Sequence, residues 1–104
     1  MSETLTLVTC KDGVQARRIA TALVRERLAA CVNVVRGVTS IYVWEGKLEK
    51  GREVLLLIKS RSGLSKKLAA RVKRLHSYSV PEVVTIPIAT GNPAYLRWVR
   101  ESTR

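Results

Sequence analysis

The sequence predicts a mixed α+β domain in the order β-α-β-β-α-β, followed by a C-terminal helix. Three observations carry that prediction. β-branched, strand-like runs alternate with amphipathic helical patterns. A turn signal joins the two middle runs. And Leu7–Val14 resembles Leu57–Leu64 at an offset of fifty positions, each reading as a strand end, a polar turn and a helix start.

Each element has its own justification. Thr4 to Thr9 reads as the first strand. Asp12 is a favoured helix N-cap, with Gln15 at the reciprocal position of a capping box. Ala16, Ile19, Ala20, Leu23, Val24 and Leu28 then recur at helical spacing, with Arg17, Arg18, Arg25 and Glu26 mostly on the other side. Val32 to Glu45 is a long β-branched run interrupted at Arg36-Gly37; Glu45-Gly46-Lys47 is a tight turn, and Leu48 to Ser60 is the return strand. A second helix is expected from near Ser62, burying Leu64, Leu68, Val72 and Leu75 while Lys66, Lys67, Arg71, Lys73 and Arg74 cover the remainder. Glu82 to Ala89 is the last strand. Asn92 caps a short third helix with Pro93 at its first position, its inner face carrying Tyr95 or Leu96 with Trp98 and Val99. Two βαβ halves joined this way give the ferredoxin-like arrangement, a four-stranded antiparallel sheet with both main helices on one face.

With 104 residues the chain is expected to form one domain, residues 1–104, large enough for a core without disulfides. That core is aliphatic, because there are two Trp, three Tyr and no Phe. Nineteen Lys and Arg against eight Asp and Glu give a formal charge of +11, which raises nucleic acid as a partner. The charges are spread over two helices, a hairpin tip and the C-terminus, and the central strands lack the stacking aromatics of RNA-recognition sheets, so a solvated basic surface is the simpler reading. The first residues show neither a basic region nor an apolar stretch, and Val54–Ile58 is too short to span a bilayer. Together with two cysteines that make no disulfide framework, this leads us to expect a cytoplasmic protein with no membrane association. No Ser-His-Asp set, CxxC or HExxH motif is present, so no enzyme class is indicated.

A monomer is not expected. Each middle strand runs about 13 residues, or about 43 Å extended, against a radius of gyration of about 13 Å for a globule of this size. The hairpin therefore bends near Gly37 or projects, and its outer part carries Ile41, Tyr42, Val43 and Trp44, with Tyr42 and Trp44 on one strand face. Val54-Leu55-Leu56-Leu57-Ile58 is apolar at consecutive positions, as in a strand covered on both faces. A neighbouring subunit is the economical cover for both features.

The segments Glu26–Asn33, Gly37–Tyr42, Trp44–Lys47, Glu53–Lys59, His76-x-Tyr78-x-x-Pro81-Glu82 and Gly91-Asn92 with Tyr95–Trp98 resemble the signature of CutA proteins over nearly the whole chain. The resemblance implies a homotrimer with interlocking hairpins, similar in architecture to PII signalling proteins. It also implies a cytoplasmic setting, a role in divalent-cation tolerance without catalysis, and copper binding in some members. No resident cofactor is implied; Cu²⁺ or another divalent ion is the expected ligand. Copper-binding relatives use a first-strand Cys and a His pair. Val8 stands at the first of these positions, Leu75 replaces one His, Ser77 stands in place of a Pro, and Ser79 also departs from the family pattern, so His76 alone carries over.

His76 is either a metal ligand or a group at the C-terminal end of the second helix. Cys10 and Cys31 flank the first helix, about 25 Å apart, too far to share a disulfide or a metal. Cys31 reads as a small buried hydrophobe. Cys10, near a helix N-terminus that would lower its pKa, is expected to be the more exposed and is the second candidate ligand. Tyr42, Trp44, Lys59, Tyr78 and Glu82 are grouped as an inter-subunit cleft or interface, mainly on the resemblance. A small anion at such a cleft, as in a PII-like regulator, is the alternative ligand class.

Overall fold

The structure is a computed structural model, and it describes residues 2–104. Strand β1 (Glu3–Cys10) leads to helix α1 (Gly13–Arg25), which is followed by β2 (Cys31–Trp44) and β3 (Lys47–Arg61). A single 3-10 turn (Ser62–Leu64) precedes helix α2 (Ser65–Leu75), then β4 (Val84–Pro87) and helix α3 (Pro93–Glu101). The four strands form one antiparallel sheet in the order β2-β3-β1-β4, the ferredoxin-like arrangement.

Strand parity decides what is buried. Val8 and Cys10 of β1 and Val54, Leu56 and Ile58 of β3 point to the helix side, where they meet Ala16, Ile19, Ala20 and Leu23 of α1 and Leu68 and Val72 of α2. The alternate residues Leu55 and Leu57 lie on the other face and are only half-buried. α3 reaches that face at one end of the sheet, where Arg100 pairs with Glu3 at 3.1 Å and Arg61 donates to Thr103 Oγ1. The rest stays open, with Val35, Val84 and Ile86 exposed along it.

Asp12 caps α1 by accepting the Gln15 N–H at 2.9 Å. The reciprocal half of the capping box does not form: Gln15 is buried and its Oε1 has no partner. The helix ends after Arg25 because Arg27 turns left-handed (φ +61°), which lets Leu28 N–H reach Leu23 C=O and Arg27 N–H reach Val24 C=O. Leu28 thus joins the core from beyond the helix, while Val24 stays exposed. α2 starts later than the pattern predicts, because no side chain caps it and the 3-10 turn takes the Ser62 position. β4 is four residues rather than eight and ends on Pro87, which cannot donate to a ladder. In α3 only Val99 is buried; Tyr95 and Trp98 pack on each other at 5.6 Å, half exposed, instead of facing inward.

The β2–β3 hairpin closes on a two-residue turn, Glu45-Gly46, both with positive φ. It gives the molecule a long axis of 44 Å against 25 and 23 Å for the others. Between the pairs Val35↔Leu55 and Val38↔Glu53, Arg36 and Gly37 oppose the single residue Val54, forming a β-bulge with Gly37 at φ +75°. The predicted interruption at Arg36-Gly37 is this bulge. It marks where the outer hairpin leaves the helix-covered sheet.

Candidate functional site

At the bulge end of the sheet, β1 finishes at Cys10, α2 finishes at Leu75, and the outer hairpin begins. The loop after α2 carries His76 and Tyr78 back over the end of β1. A cleft of about 430 Å³ opens there, lined by Thr9, Tyr42, Trp44, Tyr78, Ser79, Val80 and Glu82. Tyr42 and Trp44 come from β2, two residues apart and on one strand face, as the sequence predicts. Tyr78 donates from its hydroxyl to Glu53 on β3 at 2.9 Å. Burial, then that hydrogen bond and the Glu53 charge, push the Tyr78 phenol up to about 12, so it stays protonated. Glu82 stands at the cleft wall with only a long contact from Thr9 Oγ1, at 3.5 Å.

The structure thus brings together four of the five grouped residues, Tyr42, Trp44, Tyr78 and Glu82. Lys59 lies elsewhere. It pairs with Cys31 across the ladder, six residues along β3 from Glu53, and its amine bonds Asn33. Within one chain it does not reach the cleft.

His76 packs against the cleft residue Tyr78, and its chemistry is fixed by its neighbours. It is 8 % exposed, and its Nε2 sits 2.7 Å from the Thr9 carbonyl. A carbonyl only accepts, so Nε2 carries the proton. Nδ1 is then free to accept the Tyr78 backbone N–H at 3.1 Å. Both ring nitrogens are used inside the chain, and the ring packs 4.6 Å from Tyr78. Ligating a metal would require giving up one of these bonds. The His76 backbone N–H also terminates α2 on Val72 C=O.

The exposed, low-pKa Cys10 that the sequence suggests is corrected by the structure. Cys10 follows the even-numbered residues of β1 onto the helix-facing side and has no exposure. Burial, with help from the charges of Glu53 and Asp12, raises its thiol to about 11. Cys31 is half-buried rather than sealed in the core, and the Tyr95 phenol is raised by burial and then by its proximity to Cys31. Among the described residues, no three His, Cys, Asp or Glu side chains are grouped as a metal would need. The described residues of one chain therefore do not fit a copper site.

Fold and cleft together define a class: a ferredoxin-like α+β protein with a projecting hairpin, an aromatic cleft at the bulge, and an open apolar sheet face. The chain belongs to the CutA1 divalent ion tolerance protein family, whose model matches residues 4–102. It is 54 % identical over 101 residues to the divalent-cation tolerance protein CutA of Thermus thermophilus, covering 97 % of this chain and 98 % of that one. It is 52 % identical over 92 residues to the CutA homolog of Xenopus laevis, covering 88 % of this chain but only 61 % of the frog protein. A solved structure of the divalent cation tolerance protein from Thermus thermophilus superposes with a TM-score of 0.96, covering 98 % of this chain and 99 % of that one at 53 % identity. The family is named for tolerance of divalent ions, not for a reaction. No helix among the described residues is long and apolar enough to cross a membrane.

Proposed function

We propose that this chain works as a homotrimeric, non-catalytic protein of divalent-cation tolerance in the cytoplasm, with its aromatic cleft completed by a neighbouring subunit. The outer hairpin carries the reading. Ile41 is 66 % exposed, Val43 68 % and Leu48 76 %, with Trp44 and Tyr42 beside them. A long strand pair presenting this much apolar surface is an aggregation template unless another chain covers it. The half-open sheet face adds a second uncovered apolar surface. Two free thiols, one sealed in the core, suit a reducing compartment.

Among the described residues one chain groups no ligand set, and on this reading a divalent ion, copper included, is taken where subunits meet. Glu82 is the cleft carboxylate with the weakest internal bond, and a second subunit brings the remaining donors. Native mass spectrometry with Cu²⁺ or Zn²⁺ added or removed tests this. The expected result is a trimer that takes up a fixed number of ions, with uptake reduced by Glu82→Gln. Introducing charge with Ile41→Lys and Trp44→Lys together should drop the mass to one chain. A wild-type protein that is monomeric at micromolar concentration would overturn the assembly. A trimer indifferent to ions would overturn the metal part alone.

A further inference from the structure

On the helix side of the bulge lies a second cleft, of about 600 Å³, lined by both charged signs but unequally. Lys11, Arg17, Arg36 and Arg52 line it together with Asp12 and Glu53. Four cations against two carboxylates leave a surplus of two positive charges. The carboxylates are also committed elsewhere. Asp12 accepts the Gln15 N–H as the cap of α1, and Glu53 accepts the Tyr78 hydroxyl. Among the described residues the ion pairs are Arg71–Glu26 and Arg100–Glu3, so none of the four cleft cations has a carboxylate partner.

The guanidinium groups converge instead of separating. Arg17 Nη1 and Arg36 Nη2 come within 3.1 and 4.0 Å of one point, the place a β-carbon on Gly13 would occupy. Free surface arginines relieve their mutual repulsion by pointing apart into water. Here the backbone works against that. Arg36 belongs to the bulge, which re-aims its side chain off the ladder, and Arg17 projects from the first turns of α1 beside it. Gly13, having no side chain, leaves the floor between them open.

We propose that this cleft is a binding site for a phosphorylated small molecule, with a phosphate group seated between Arg17 and Arg36 and flanked by Lys11 and Arg52. The surplus charge matches a dianion, and guanidinium forks match phosphate oxygens in bidentate geometry. The volume exceeds that of a lone phosphate and falls in the range of small-molecule pockets. The site lies within one chain, so it stands apart from the metal and assembly readings above.

Isothermal titration with pyrophosphate, and separately with ATP, at 150 mM salt tests the proposal on the intact protein. Saturable binding at one site per chain is expected, weakened at least tenfold by Arg17→Gln with Arg36→Gln. Lys66→Gln with Lys67→Gln removes the same charge from α2 and should leave the affinity within twofold. Arg52→Gln serves as a milder variant if the double one folds poorly, with a loss of a few fold. Tighter binding of ATP than of pyrophosphate identifies a nucleotide as the natural class, and equal binding identifies the phosphate groups alone. Absence of saturable binding, or equal losses in the cleft and α2 variants, would overturn the proposal. The second result would mean diffuse attraction of the kind a nucleic acid experiences.

Discussion

Replacing His76 with alanine separates a structural histidine from a metal ligand, and the structure sets the size of the effect. The ring donates to the Thr9 carbonyl at 2.7 Å and accepts the Tyr78 N–H at 3.1 Å. Leaving a buried polar group without its partner costs about 1–3 kcal/mol. Thr9 is buried, so its carbonyl incurs the upper part of that range; Tyr78 is at the cleft edge, where water replaces the lost acceptor and the cost falls to about 1 kcal/mol. His76→Ala should therefore destabilise the fold by about 3–4 kcal/mol, with a further loss from the vacated ring volume. Gln places an amide donor near the Nε2 position and should recover the larger part; Asn, mimicking Nδ1, should recover the smaller.

Urea unfolding followed by Trp fluorescence reads this directly, at one fixed protein concentration so that the proposed assembly contributes equally to every variant. The midpoint should fall in the order wild type, Gln, Asn, Ala, with the slope unchanged. An alanine variant within about 1 kcal/mol of wild type would refute the reasoning, because the two hydrogen bonds could not then be satisfying buried groups. If that variant also lost copper uptake, His76 would be a ligand after all.

Two further outcomes follow from the same geometry. Cys10 keeps its proton to about 11 in the fold but loses it near 9 when unfolded, so between those values the unfolded chain binds fewer protons and stability falls as pH rises. The full loss is about 2–3 kcal/mol, absent below pH 9, and denaturant midpoints across pH 8 to 11 should lose that slope in Cys10→Ala. Gly37→Ala should cost about 1–2 kcal/mol in the same urea assay although its new methyl meets nothing within 4 Å, because φ +75° strains any side-chain-bearing residue; an unchanged midpoint would mean the bulge relaxes freely.

The parts of the fold legible in the sequence are those set by neighbours close along the chain. The α1 stripe from Ala16 to Leu23, the Asp12 and Asn92 caps, the Glu45-Gly46 turn and the Arg36-Gly37 interruption depend on residues a few positions apart, and each forms. What escaped depends on distant partners. His76 is tied to Thr9, 67 positions away, and no local pattern announces that bond. Gln15 has the spacing of a capping box, yet burial leaves its oxygen unpartnered. Cys10 was legible in principle. Thr4, Thr6, Val8 and Cys10 share one strand face, and extending β1 by a single residue beyond Thr9 places the thiol in the core.

Glu53 connects the two clefts. It lies on β3 at the first regular pair beyond the bulge, opposite Val38, where the hairpin leaves the covered sheet. On one side it lines the basic cleft beside Arg36 and Arg52. On the other it accepts the Tyr78 hydroxyl that forms the wall of the aromatic cleft. Its side chain serves the Tyr78 side, on the strand face opposite to that of Arg52. Its carboxylate holds Tyr78 and forms no ion pair with the arginines, which leaves the basic cleft undercompensated and ties the loop after α2 to β3. An anion among the arginines would make that division of labour more favourable, since it supplies the charge Glu53 withholds. The wall tyrosine and the unpaired arginines therefore meet at one acid, placed just beyond the bulge where the hairpin changes from core strand to projecting arm.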